Sequence, residues 1–372
     1  MSGDDIKIQV WDPFIRFFHW LSVLGVLIAA GTGFLLSDSW LGFHVAVGCA
    51  LAALLTARIF WGYVGSQYGL FSNFPLRRQE ILHHLLDLML LRPRHYLGHT
   101  PLGSVMVVSL MTVMAFVIVT GILAVSGEEK QGPLAGAIPY LVGHHAKLLH
   151  SLSTLALLAL AALHVAGVLA ESLLTRQNLP KAMIDGKKDA AFHIPYAARR
   201  SWGQAAKRLG QAAILGLATA FLALLLPAPP TAMLTPGYVR LCGSCHDPFH
   251  PSLLSRAAWQ AIAGNLPVHF GKRLALSPDE LGEIMGWLSA HAAETASTEP
   301  AFAIGSVSTP QTPRITATPF WKTKHQAIGD ADFLAAGGSL RCSGCHADAA
   351  SGAFADQAIE SRPGLPRAQS AF

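Results

Sequence analysis

Four of the five cysteines stand in two copies of one arrangement, Cys242-Gly-Ser-Cys245-His246 and Cys342-Ser-Gly-Cys345-His346. Two thiols separated by two residues and followed at once by histidine suit covalent attachment of haem. The thiols form thioethers with its vinyl groups, and the histidine turns back to ligate the iron. The immediate histidine in both copies argues against a zinc site or a pair of redox dithiols. A bis-ligated iron needs a sixth ligand, and the same part of the chain offers His250, His269, His291 and His325, with Met285 as a weaker thioether alternative. Spacing alone leaves that choice open. A vacant sixth position would instead suit a small gas.

A second set of histidines lies inside apolar stretches, where an ionisable side chain is costly and therefore a functional candidate. His150 and His164 are 14 residues apart, which on a helix returns to nearly the same face roughly 21 Å further along the axis. His19 and His44 lie at opposite ends of the two preceding apolar stretches, so depth pairs His19 with His164 and His44 with His150. Two non-covalent b-type haems stacked across a bilayer account for all four. Arg58 follows His44 by the same step, which suits pairing with a propionate of the inner haem or snorkelling to the interface, and Gly33 follows His19, which suits room for the outer porphyrin or close helix packing. Glu171, seven residues after His164, reads as an interfacial carboxylate or as a group for proton release from a quinol. His144 and His145 are assigned to an outer loop, and His83, His84 and His95 to solvated loops.

These side chains require membrane helices to position them, and the composition agrees. Of the 372 residues 52% are hydrophobic and 13% charged, with mean hydropathy +0.40, where a soluble domain carries about a quarter charged. Disorder, a fibrous repeat and a disulfide scaffold are excluded. Apolar stretches at 17–36, 40–63, 103–125 and 148–174 are long enough to cross about 30 Å of hydrocarbon as helix. A fifth, at 210–227, is short and follows the basic segment RRSWGQAAKR, so it reads as a span or as a signal-like core. The loops 64–101 and 175–209 carry four and eight Lys plus Arg, whereas the loops 37–39 and 126–147 hold only Lys130 and Lys147. The positive-inside rule then puts the N-terminus in the cytoplasm of a bacterial inner membrane protein and everything after Pro227 outside, in the periplasm. Of the net charge of +5, the excess belongs to the hydrophobic part, with no basic stripe interleaved with aromatics, which argues against nucleic acid.

The fold class expected is all-α: a membrane four-helix bundle over 1–185, a basic segment with the fifth span over 186–236, and an exported, mainly helical domain over 237–355. A disordered tail follows at 356–372. Within the exported part, 237–291 and 320–355 read as compact pieces joined by ETASTEPAFAIGSVSTPQTP, a linker at 292–319 too rich in Pro, Thr and Ser to pack a core. Ser277-Pro278-Asp279-Glu280 predicts a capped helix start, and Ser255 another that ends near Gly264.

Residues 8–185 resemble the bacterial cytochrome b561 and hydrogenase b-type cytochrome family through VWDPFIRFFHW, the turn from His44 to Gly48, ARIFWGYVGSQY, RPRHYLGHTPLG, and LLHSLSTLALLALAALHVAGVL followed by LPKAMIDGKK. The resemblance implies a four-helix bundle with two bis-His b haems, whose ligand positions fall on His19, His44, His150 and His164. Residues 238–354 resemble the small di-haem cytochrome c family through LCGSCHDPFHPSLL, the Trp259 helix, PVHFGKR, PRITATPFWKTKH and RCSGCHADAASGAF. That resemblance implies bis-His ligation with His269 and His325 as the distal ligands of two covalent c haems, without saying which serves which. It leaves His250 in reserve. Related di-haem cytochromes c are associated with a membrane cytochrome b and an oxygen-binding monohaem cytochrome c.

The expected activity is membrane electron transfer from quinol through the b haems to the c haems and on to a periplasmic acceptor such as a soluble cytochrome c. The chain thus reads as a quinol:cytochrome c-type oxidoreductase or an electron-transfer component whose partners are lipid, the quinone pool and that acceptor. Two alternatives stand beside it: a superoxide-oxidising, quinone-reducing cytochrome b, which needs a basic outer pocket, and a membrane anchor for a separate dehydrogenase or hydrogenase. No nucleophile–base pair or nucleotide-binding glycine loop competes with these readings.

Overall fold

Asp12 starts the first membrane helix. Its carboxylate accepts the Ile15 backbone N–H at 2.9 Å and Pro13 occupies the first turn, the pairing that satisfies the orphan donors of a helix start. The same carboxylate accepts the Trp61 indole N–H at 3.0 Å and the Ser66 hydroxyl, tying this corner to the end of the second helix. The computed structural model describes residues 7–37, 40–92, 94–132, 134–189, 208, 210–211, 213, 215–216, 233–311 and 313–359.

Among the described residues, four helices are long and apolar enough to cross a membrane: α1 (Pro13–Phe34), α2 (Leu41–Val64), α4 (Pro101–Gly127) and α5 (Tyr140–Thr175). The protein is an integral membrane protein. Leu55 of α2, Met114 of α4 and Leu157 of α5 are buried together, with Phe18 and Val26 of α1 packed against them. Leu24, Leu27, Leu155 and Leu163 remain exposed, as side chains facing lipid do, because hydrocarbon offers no hydrophobic penalty for leaving them outside. Most of the expected fifth span at 210–227 lies outside the described residues, as does most of the basic segment before it.

Shorter elements close the end of this bundle where α1 begins. They are β1 (Lys7–Gln9), α3 (Arg78–Met89), α6 (Leu179–Asp185) and β2 (Lys187–Asp189), with β1 antiparallel to β2 in the register Ile8 opposite Lys188. Gly186 joins α6 to β2 at φ +83°, and its carbonyl accepts the N–H groups of Val10 and Trp11 at 2.9 and 3.0 Å. A Cβ there would lie 2.2 Å from the Gln9 amide nitrogen, so only glycine permits this turn. Val10, Trp11, Ile15, Trp61 and Ala182 form the local core.

Two histidine assignments change here. His83 and His84 belong to helix α3, and His84 is 1% exposed, with its ring 5.5 Å from that of Tyr96. Burial lowers its proton affinity. His144 and His145 lie on α5, which begins at Tyr140 rather than near residue 148.

The chain divides into two compact units. The first takes residues 1–35, 43–121 and 148–225, and the second 36–42, 122–147 and 226–372. The second contains α7 (Pro236–Cys242), α8 (Arg256–Gly264), α9 (Pro278–Ala290), α10 (Glu299–Gly305), α11 (Pro319–Lys324) and α12 (Asp330–Ala335). Ser277 and Glu280 form the expected capping box at α9, and Ser255 caps α8. It also takes in the adjoining ends of α4 and α5: the Asp356 N–H donates to Glu129 at 3.1 Å, and the Ser297 hydroxyl accepts the Tyr140 N–H at 2.7 Å.

The stretch expected to be a loose linker is part of this unit's core. Ala292, Ile304 and Ile315 are buried with Tyr238, Leu254, Trp259 and Leu288. Its Thr and Pro residues serve as helix starts: the Thr298 hydroxyl accepts the Ala301 N–H with Pro300 in the first turn, and that of Thr318 accepts the Trp321 N–H. Composition suggested a linker unable to pack a core, but these are capping positions. Residues 356–359 of the expected tail are ordered against the fold, with the Ala347 N–H donating to the Ala358 carbonyl at 2.9 Å; residues 360–372 lie outside the described ones.

Ser255 gives a direct test of this shared core. Its hydroxyl caps α8 and donates to the Ser308 carbonyl at 2.9 Å, and its N–H donates to the Ser308 hydroxyl at 2.8 Å. Ser255→Ala is expected to cost about 1–2 kcal/mol from the lost cap and the unpaired carbonyl. Guanidinium unfolding followed in the Soret band measures it.

Candidate haem sites

The histidines meet in four pairs. Ring centres of His19 and His164 are 6.4 Å apart, those of His44 and His150 5.9 Å, those of His246 and His269 6.3 Å, and those of His325 and His346 6.2 Å. Two imidazoles on opposite sides of one metal, each bound at about 2 Å through a nitrogen about 1.2 Å from its ring centre, put the ring centres about 6.4 Å apart. All four pairs fit an iron between them. The 14-residue spacing on α5 does bring His150 and His164 to partners on α2 and α1, as depth matching predicts.

Neighbouring backbone sets which nitrogen two of the membrane histidines present. The His44 Nδ1–H donates to the Ala29 carbonyl of α1 at 3.1 Å, and the His150 Nδ1–H donates to the Val117 carbonyl of α4 at 2.8 Å. Each bond fixes the tautomer with an unprotonated Nε2, the arrangement that orients a metal-binding imidazole. The Thr32 hydroxyl lies 3.1 Å from His44 Nδ1. A Cβ on Gly33 would fall 3.2 Å from His44 Cε1, and one on Gly121 would fall 3.0 Å from His150 Cε1. Gly33 therefore makes room first for the His44 ring. Gly121 performs the same service on α4 and carries no spacing signal that would have marked it, since α4 has no histidine. His19 Nδ1 is buried with no hydrogen-bond partner among the described residues.

In the second unit, each CxxCH histidine faces the distal candidate nearer to it in sequence. His246 stacks against His269 with ring planes 25° apart, and His325 lies against His346 at 68°. The His325 Nδ1–H donates to the Trp321 carbonyl at 2.8 Å and that of His246 to the Asp247 carbonyl at 2.6 Å. Burial, and then His325, hold His346 down to about 4; burial also lowers His325 and His269. These imidazoles are neutral at physiological pH, the form that binds a metal. Burial, with Asp247 adding to it, pushes the Cys342 thiol up to about 12. A cavity of about 320 Å³ lies beside Cys342, lined also by Leu234, Asp247, Phe249, Leu253 and Phe354.

The remaining candidates have other work. His250 Nδ1 accepts the Ser252 N–H at 3.2 Å and its ring packs where a Cβ on Gly352 would stand, 2.3 Å away. The His291 Nδ1–H donates to the Trp287 carbonyl at 2.9 Å, and Met285 packs against the hydrophobic core. Asp247, directly after His246, accepts both the backbone N–H of Ser343 at 2.8 Å and its hydroxyl at 2.6 Å. The two CxxCH turns are thus bonded to one another, a contact that sequence spacing did not foreshadow.

Arg58 is 2% exposed on α2, with its guanidinium 4.8 Å from the centre of the Phe71 ring and Nη1 without a hydrogen-bond partner among the described residues. Glu171 lies 3.5 Å from the Thr100 hydroxyl. At the other end of the bundle helices, the Lys147 ammonium pairs with Glu128 at 3.2 Å and that of Lys130 donates to the Ile138 carbonyl at 2.8 Å. Burial and the neighbouring Asp356 push Glu129 up to about 7.

Residues 10–186 match the family model for prokaryotic cytochrome b561, and residues 238–354 that for dihaem cytochrome c. A protein of Bradyrhizobium diazoefficiens named Probable Ni/Fe-hydrogenase B-type cytochrome subunit is 26% identical over 212 residues, covering 49% of this chain and 85% of that protein. A similarly named protein of Escherichia coli is 23% identical over 223 residues, covering 51% and 94%. Among solved structures, a diheme cytochrome c from Rhodobacter sphaeroides is 28% identical over 34% of this chain and all of its own, with TM-score 0.29. One from Shewanella baltica is 30% identical over 36% and 97%, with TM-score 0.28.

Proposed function

Starting from a chain whose residues 10–186 belong to the prokaryotic cytochrome b561 family and whose residues 238–354 belong to the dihaem cytochrome c family, we propose that it carries electrons from quinol, through two b haems and two c haems, to an acceptor in the periplasm. That it is a haem-bearing membrane electron-transfer protein follows from the two families. The numbers of haems, the quinol and the acceptor belong to the proposal. In this reading His19 with His164 and His44 with His150 hold the b haems, and Arg58 meets a propionate. Cys242, Cys245, His246 and His269 hold one c haem, and Cys342, Cys345, His346 and His325 the other. The observation that carries the reading is the set of four imidazole pairs, each with ring centres about 6 Å apart.

Bound haem supplies the one-electron chemistry. The chain contributes the rest. Each quinol releases two electrons and two protons on becoming quinone, and Glu171, near the inner end of α5, is placed to take a proton. Carbonyls of Ala29 and Val117 hold imidazole orientation, and apolar helices keep water from the pairs. The excess of Lys and Arg in the loops 64–101 and 175–209 supports an N-terminus in the cytoplasm and a periplasmic C-terminal region. The acceptor fitting this arrangement is a soluble cytochrome c, with an oxygen-binding monohaem member as one candidate.

The test is anaerobic addition of a reduced quinone analogue to the oxidised full chain, following b and c absorption separately. The b bands are expected to reduce first and the c bands after them. Bands that stay oxidised with quinol, yet reduce with dithionite, would overturn quinol as donor.

A second reading, a membrane redox anchor for a hydrogenase or other dehydrogenase, is favoured by the relatives, which are named as hydrogenase B-type cytochrome subunits. Co-purification of a large catalytic subunit would support it. Superoxide oxidation draws no such support, because Lys147 is paired with Glu128 and Lys130 lies beside Glu128 and Glu129, which does not make a basic pocket.

A further inference from the structure

The closed end of the bundle holds two buried cations with few anions to face them. Arg58 has an unpaired Nη1 among the described residues. Its neighbour Asp12 already accepts from the Ile15 N–H, the Trp61 indole and the Ser66 hydroxyl. Lys188 is 9% exposed on β2, and among the described residues its ammonium reaches only carbonyls at long range, Gly98 at 3.3 Å and Tyr96 at 3.4 Å, while lying 5.5 Å from the Trp11 ring centre.

His99 stands between the two. Its ring is 4.7 Å from that of Trp11, against which Lys188 lies, and 4.5 Å from that of Phe74. Phe74 is in turn 5.5 Å from Phe71, beneath Arg58. Burial depresses its proton affinity first, followed by Arg58, Lys188 and His164. All three groups are therefore within electrostatic reach of His99, and His164 is a member of the first imidazole pair. Glu171 is the carboxylate that attracts Lys188, and the two form no ion pair within 4 Å among the described residues.

We propose that Lys188 and Arg58 are the counter-ions of the two propionate carboxylates of the haem held between His19 and His164. The inference rests on the reading of His19 and His164 as its axial ligands. Two buried cations whose nearest carboxylates, Asp12 and Glu171, form no ion pair with them among the described residues are costly, whereas two propionate carboxylates balance them one for one. The register of β1 with β2 and the glycine turn at Gly186 deliver Lys188 to this spot, which gives the small sheet a purpose that its size alone would not suggest.

Removing a positive charge near an iron makes adding an electron less favourable. In the full chain, Lys188→Met is expected to lower the reduction equilibrium of one b component about tenfold, equivalent to about 59 mV for one electron, and to leave the other b component and both c components unchanged. Lys188→Arg, which retains the charge, is expected to titrate within about twofold of wild type, and Lys188→Gln to behave as the methionine variant. The readout is a spectroelectrochemical titration with haem stoichiometry measured alongside. Unchanged b potentials in Lys188→Met and Lys188→Gln, or an equal shift in Lys188→Arg, would overturn the proposal. His164→Ala separates it from its premise: loss of the component that Lys188 shifts supports the ligand assignment, and full b haem content would overturn that assignment instead.

Discussion

Under the proposed ligation, His150→Ala is expected to remove one b haem and leave the other. The expected b-to-c haem ratio falls from 2:2 to 1:2, with the c bands still formed, because the cysteine attachments lie in the other compact unit. Alanine takes away the imidazole and its bond to the Val117 carbonyl together, so no nitrogen remains to face His44 across the 5.9 Å gap between the ring centres. Electron delivery from quinol to the c bands should slow by more than about 100-fold, since altering only an outer-shell partner of a ligand already costs about 10–100-fold. Pyridine haemochrome spectra give the ratio and stopped-flow gives the rate. A normal ratio would show that His44 and His150 are merely hydrogen-bonded inside the bundle.

Ile304→Ala is expected to destabilise the whole second unit by about 2–5 kcal/mol, the usual cost of emptying a buried aliphatic position. Ile304 is 3% exposed and shares its cluster with Leu254, Trp259 and Leu288 from the region around the first CxxCH turn and with Ile315 from the approach to the second. A domain of this size has total stability of about 5–15 kcal/mol, so the loss is a large fraction. Both c haem environments should therefore unfold in one transition at lower denaturant. If 292–319 were a linker, the same substitution would change neither midpoint. Guanidinium titration read at the Soret band, with circular dichroism as a second probe, decides between these outcomes.

Legibility in the sequence followed the range of the interaction involved. CxxCH is local, so both turns could be read directly as motifs. The membrane histidines were nearly as plain, because 14 residues of helix fix direction and depth together. Capping at Ser255 and Ser277 is also local, and both helices start where expected. What failed depended on contacts distant in sequence. His84 is buried by the fold around α3 and Tyr96, which no local pattern announces. Thr298, Pro300 and Thr318 have the composition of a loose linker and the positions of helix starts, and only the buried Ile304 and Ile315 separate the two. Lys188 resembled any other basic residue beside a membrane until strand pairing carried it under Trp11. The distal ligands stayed unassigned to particular CxxCH groups because sequence order does not say which imidazoles face each other.

The bond between Asp247 and Ser343 bears on timing as well as on shape. One residue follows His246 and the other follows Cys342, so displacement of either CxxCH turn pulls on its counterpart. The gap between the two redox centres then fluctuates less than the surface around it. Tunnelling probability decays steeply with separation, so a narrow spread of separations makes each hop nearly as fast as the last. With a haem on each CxxCH turn, as proposed, the c region would behave as a single two-electron store, filled in quick succession, and its slow event would be the meeting with whatever collects the electrons.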